Sequence, residues 1–178
     1  MAHRLYIAED SKQAIQRIFN NDEENNLSLC TSICCISMLV ERMLNLSFPP
    51  DLCAHFAARC GVTSDTEDSF LILAGAVSGR FSLRLSVCKE ENAILKVKDG
   101  AKAIVQFQSS PNTEMKFYLL DHYARNILYM INPSLKQGKG FSRNKRRLIQ
   151  QKDEFTLIPL ESYHEFYPED AQYYVFSV

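Results

Sequence analysis

Apolar positions recur at helical spacing through the first half of the chain and gather into short strand-like runs in the second. Asp10-Ser11 can cap a helix to about Phe19, with Ala14, Ile15, Ile18 and Phe19 along one side. Asn20 to Ser28 is polar and reads as a loop. From about Thr31 to Leu46 the chain is strongly apolar and too long for one strand, which predicts a buried helix. Pro49-Pro50-Asp51 starts a third helix, Leu52 to about Arg59, ended by Gly61. Thr66-Glu67-Asp68 opens a fourth across Phe70, Leu71, Leu73, Ala74 and Val77, stopped by Gly79.

Beyond that point the period changes. Phe81 to Val87 alternates like a strand, and Glu91 to Val97 fits a short helix. Ala103 to Phe107, Phe117 to Leu120 and Ile127 to Ile131 are apolar runs. The last two flank Asp121 to Asn126, a turn-like linker, and should pair as an antiparallel hairpin. Phe155 to Leu160 and Tyr173 to Val178 look like closing strands. The plan is α+β: N-terminal helices packed on a C-terminal antiparallel sheet. With 178 residues and no repeat or boundary signal, residues 1–178 read as one domain.

Composition narrows the function classes. Hydrophobic residues make up 46% of the chain, enough for a substantial core. A net charge of −1 provides no global field for nucleic acid or an anionic membrane. No apolar run is expected to reach the roughly 18 to 20 residues of a spanning helix. Met1 to Asp10 lacks the features of a secretion signal, so the chain reads as cytoplasmic. Cys30, Cys34, Cys35, Cys53, Cys60 and Cys88 are too sparse for a disulfide scaffold and read as mostly small buried hydrophobes. Their spacing also argues against zinc, because Cys30 and Cys34 sit on successive helical turns. No metal or other cofactor is expected.

Cys30 is the sharpest chemical candidate. It follows a polar loop at the expected start of the most buried helix. Free N–H groups and the helix dipole there favour a thiolate and would stabilise an oxyanion. The competing reading is one more small core residue.

Four features in order resemble the papain-like cysteine peptidases that trim double-glycine leader peptides. Cys30 opens a buried helix of small and apolar residues. Helical segments follow, then the strand Lys102-Ala103-Ile104-Val105-Gln106-Phe107. Met115-Lys116-Phe117-Tyr118-Leu119-Leu120 stands where that family has Gly-His-Phe and an apolar strand. Tyr129-Met130-Ile131-Asn132-Pro133-Ser134 matches an apolar strand ending in Asp-Pro or Asn-Pro. The resemblance spans roughly Leu27 to Ser134 and implies a papain-like fold. It further implies Cys30 as nucleophile and Asn132 as the residue orienting a base.

The chain departs from the family at three places. The general-base histidine falls at Lys116, the oxyanion glutamine at Glu24, and the glycine after the nucleophile at Thr31. Lys116 can hold a thiolate by charge, serve as base if desolvated, or pair with Glu24. His122, the nearest histidine, lies about 20 Å along a strand from position 116, beyond the about 3 Å of a hydrogen bond. It should sit in the hairpin turn beside Asp121. His55 reads as a surface or rim residue and His3 as exposed. The resemblance therefore implies a degenerate or repurposed domain that binds a peptide or protein segment in the old cleft. The alternative is an active cysteine peptidase or acyltransferase using Cys30.

Two further clusters read mainly as structure. Lys136 to Lys152 carries seven Lys or Arg and no acid until Asp153, and is expected to be a solvated basic face. A patch for phosphate, RNA or an acidic partner is the weaker alternative, and nucleic acid is not the expected partner. The aromatics Phe155, Tyr163, Phe166, Tyr167, Tyr173, Tyr174 and Phe176 should pack the core, some Tyr at a groove rim being the other option.

Overall fold

Every residue from Leu29 to Glu41 is buried, which fixes one helix as the centre of the structure. The computed structural model describes residues 3–20, 27–62, 68–108, 110–111, 114–134, 149–166 and 170–178. Helices α1 (Ala8–Phe19), α2 (Leu27–Leu44), α3 (Pro50–Arg59) and α4 (Ser69–Phe81) come first. Strand β1 (Arg84–Cys88), helix α5 (Glu90–Lys98) and strands β2 (Lys102–Phe107), β3 (Lys116–Ala124) and β4 (Ile127–Ile131) follow. Strands β5 (Gln150–Lys152) and β6 (Phe155–Pro159), a 3-10 turn at Leu160–Glu165 and β7 (Gln172–Ser177) complete the order.

The strands form one seven-stranded sheet in the order β1-β7-β2-β3-β4-β6-β5. Every neighbouring pair is antiparallel. The mixed α+β plan legible in the chain is thus the one observed. Alternate side chains enter two separate cores. Tyr174 and Phe176 of β7 join Ile104, Phe117 and Leu119 against α1 to α4. Tyr173 and Val175 point the other way and join Val105, Leu120 and Met130 against α5 and the 3-10 turn. The sheet is therefore covered on both faces, where the sequence suggested helices on one.

Helix α1 starts at Ala8 with Ile7 at its cap, so Asp10 lies within its first turn rather than before it. Three other boundaries differ for physical reasons. Helix α2 begins at Leu27, about a turn before the apolar run, so Cys30 is its fourth residue rather than its first. Helix α4 passes through Gly79, which has open space around it, and ends at Phe81 with Ser82 in the left-handed region. The β3–β4 turn contracts to Arg125-Asn126, at φ 52° and 63°. Two left-handed residues match the twist of a tight hairpin, so Asp121 to Ala124 stay in the strand. A bulge between Leu120 and His122 adjusts the register.

Helix α2 is, among the described residues, the one helix long and apolar enough to cross a membrane, with a mean hydropathy of 1.6. This corrects the expectation that no segment reaches that length. The fold itself accounts for the composition, because 72% of the helix is buried between α1, α3 and the sheet.

Candidate functional site

Cys30 is fully buried, and its thiol is pushed up to about 11 by that burial, with the Lys12 ammonium acting against it. The helix-start effect expected from sequence is outweighed. It falls off within the first turn, and here the sulfur sits at the end of that turn in an apolar surrounding. Lys12 is the sole charged side chain acting on this thiol among the described residues. Thr31 is also buried, and its hydroxyl donates to the Ser28 carbonyl at 2.9 Å. Glu24 lies outside the described residues. Cys34 is raised to about 12 by burial, while Cys35 and Cys53 are raised further. All six cysteines are free thiols.

The other two candidate residues lie across the sheet from Cys30. Lys116 is exposed and pairs in register with Phe107, which belongs to the α5-side core. Directly paired residues share a face, so Lys116 leans away from α2. Phe117, its neighbour, is the residue that faces the helices, in tilted contact with Phe70 at 4.7 Å between ring centroids. Asn132 follows β4 and extends the Leu120–Met130 and Leu119–Ile131 register to a place beside Tyr118, again on the α5 side. Its Oδ1 accepts from the Ser134 N–H at 3.0 Å and the Ser134 hydroxyl at 2.6 Å, closing the Asn-Pro turn. That oxygen is used locally, leaving no base for it to orient.

Sequence reading missed a buried ionic cluster at the opposite end of α2. The Arg42 side chain, 3% exposed, lies 3.6 Å from Asp121 and 3.1 Å from Glu154. Lys102 Nζ donates to Asp121 Oδ1 at 2.9 Å, and His122 Nδ1 lies 2.6 Å from Oδ2. Burial alone would raise the Asp121 carboxyl, but His122, Lys102 and Arg42 together hold it down at about 2. His122 is in β3 rather than in the turn, stacked on Tyr129 at 4.1 Å and edge-on to Phe155. The available signal was Glu41-Arg42 inside an apolar helix, since buried charges require partners. Asp121, Tyr129 and Phe155 surround His122, so the cluster reads as an ionic tie between elements. Among the described residues, no group of three His, Cys, Asp or Glu side chains is placed to hold a metal.

A groove of about 460 Å³ opens between α3, the C-terminal end of α4 and the loop after α2. Phe48 forms its floor, edge-on to Phe81 at 5.1 Å and to Phe56 at 6.3 Å. His55, Arg59 and Arg80 stand around it, all exposed. Of the basic stretch, residues 136–148 lie outside the described residues, while Lys152 is an exposed residue of β5. The C-terminal aromatics pack as core, with Tyr163 and Tyr173 joined through their hydroxyls at 2.8 Å; Tyr167 lies outside the described residues. No protein-family model matches the chain, and no curated protein matches it.

Proposed function

We propose that the chain is a non-catalytic relative of the papain-like leader peptidases that binds a peptide or protein segment. The carrying observation is the burial of Cys30, whose thiol is raised to about 11, with Lys12 the one charged side chain acting on it among the described residues. A nucleophilic cysteine needs a thiolate at neutral pH and access for substrate, and burial of the sulfur weighs against both. The architectural half of the reading is supported by α2, which packs on β3 at the middle of an antiparallel sheet. The likeness lies in the layout of the elements and not in the catalytic positions, since Lys116 and Asn132 stand on the α5 face of the sheet. The binding half is supported by an apolar groove with an aromatic floor and basic rim.

Iodoacetamide labelling near pH 6, read residue by residue by mass spectrometry, tests the loss of catalysis. Half-buried Cys60 and Cys88 should react before Cys30, which should label only on unfolding. A peptide library should show no turnover, and Cys30→Ala should leave partner binding unchanged. Selective labelling of native Cys30 together with hydrolysis would establish the active peptidase or acyltransferase instead.

A further inference from the structure

We infer that the groove between α3 and α4 is a docking site for an acidic amphipathic helix carrying large apolar anchors. The inference rests on the binding reading above and names the surface and the partner class.

Helix α3 carries the argument. Its core face consists of small residues, with Pro50, Cys53, Ala54 and Ala57 all buried. Leu52, His55 and Arg59 project outward, and half-buried Phe56 joins the core to the groove; the four form an i, i+3, i+4, i+7 stripe along it. A helix selected only to cover a core would keep Leu52 inside as well. Leu52 is 50% exposed. Across the groove, Phe81 and Arg80 extend the same mixture of apolar surface and positive charge from α4.

Charge selects the occupant. No Asp or Glu among the described residues lines the groove. Among the described residues, no carboxylate forms an ion pair with Arg59 or Arg80. Arg80 instead lies over the Phe81 ring at 5.8 Å, which leaves its fork open to a carboxylate. The chain as a whole carries −1, so this local positive rim is not a by-product of a basic protein. An incoming helix with Leu or Phe at i, i+4 and i+7 would seat those anchors over Phe48 and Phe56. Glu or Asp on the flanks would then meet Arg59 and Arg80. The floor is already in place, because the Phe48 N–H donates to buried Glu41 Oε1 at 2.8 Å and fixes the loop.

Fluorescence anisotropy of the full chain with a labelled helical peptide of that pattern, Glu-rich with Leu and Phe anchors, tests the docking. The same peptide with Lys for Glu, and one with Ala for the anchors, are the comparisons. Binding should be confined to the first peptide and weaken with rising salt. The Arg59→Glu/Arg80→Glu double variant should lower affinity by about tenfold or more, since like charges then face each other. Leu52→Asp should do the same through the apolar side. Arg84→Glu/Lys89→Glu, an equal charge change at the β1 end of the sheet, should leave binding intact. All these side chains are exposed, and thermal melts will confirm that the variants fold.

The inference is overturned if no acidic peptide binds, or if binding ignores Arg59, Arg80 and Leu52. It is also overturned if the groove variants abolish self-association of the chain, which would identify a second copy as the occupant. Turnover at Cys30 with docking intact would remove the non-catalytic reading alone. An inert Cys30 without docking would remove only this inference.

Discussion

Glu41 shows how one buried residue determines local structure far from any catalytic chemistry. Its Oε1 accepts from the Tyr6 hydroxyl and from the Phe48 N–H, both at 2.8 Å, so one oxygen ties the N-terminal segment and the groove floor to α2. Burial, together with the same contact, raises the Tyr6 phenol to about 12. Hydrogen bonds to a charged acceptor contribute about 1.5 to 3 kcal/mol each, and losing the acceptor leaves a buried N–H unsatisfied. Glu41→Ala should therefore cost roughly 2 to 4 kcal/mol in urea unfolding at neutral pH, and Glu41→Gln clearly less. Equal losses in the two variants would show that packing, not the acceptor, is what matters. At this scale the sequence was only partly legible. It marked Cys30 as notable, but local position cannot register that the sulfur is enclosed in the helix-side core. Reactivity is a property of the surroundings, and those come from residues distant in the chain.

Strand β3 holds most of what the candidate site depends on, and its two-residue period decides the outcome. Run lengths and apolar content were enough to locate five helices and most strands. They were not enough to phase β3, because the run from Phe117 to Leu120 is apolar on both faces. A strand buried on both sides has no polar face to indicate which neighbours lie toward which core. The pairing of Lys116 with Phe107 supplies the phase, putting position 116 on the α5 side and position 117 on the helix side. An imidazole at 116 would have the sheet between it and the Cys30 sulfur. Packed layers lie about 10 Å apart, against the about 3 Å that proton transfer requires. Lys116→His should fold normally, since Lys116 is exposed, and show no hydrolysis of a peptide library or change in Cys30 labelling. Accelerated labelling in that variant would mean that the two positions meet after all. The short β5 and the 3-10 turn went unforeseen for another reason: three- and six-residue elements carry too few periodic positions to be read.

Across the whole molecule, the cluster around Asp121 joins parts that the two hydrophobic cores leave separate. Arg42 comes from the helical layer, Lys102 and Asp121 from neighbouring central strands, and Glu154 from the β5–β6 turn. Charges buried at such a junction stabilise the fold only while they are all paired, because an unpaired one is costly to desolvate. Asp121 has a folded pKa of about 2, below the ordinary carboxyl value of 3.8. A depressed carboxyl contributes stability that is fully present above the unfolded value and is lost as pH falls through the folded one. With a gap of that size the contribution is roughly 2 to 3 kcal/mol, lost progressively between about pH 5 and pH 2. Urea midpoints measured down this range should fall for the native chain. Asp121→Asn removes the titrating group, so its midpoint should fall less steeply across the same window. It should already be destabilised at neutral pH, by roughly 3 to 5 kcal/mol, because Arg42 then remains buried beside a neutral amide. Parallel acid profiles for the two proteins would mean that other carboxylates control acid unfolding. If Asp121→Asn were also unchanged at neutral pH, Glu154 alone would suffice to hold Arg42, and the junction would rest on that one pair.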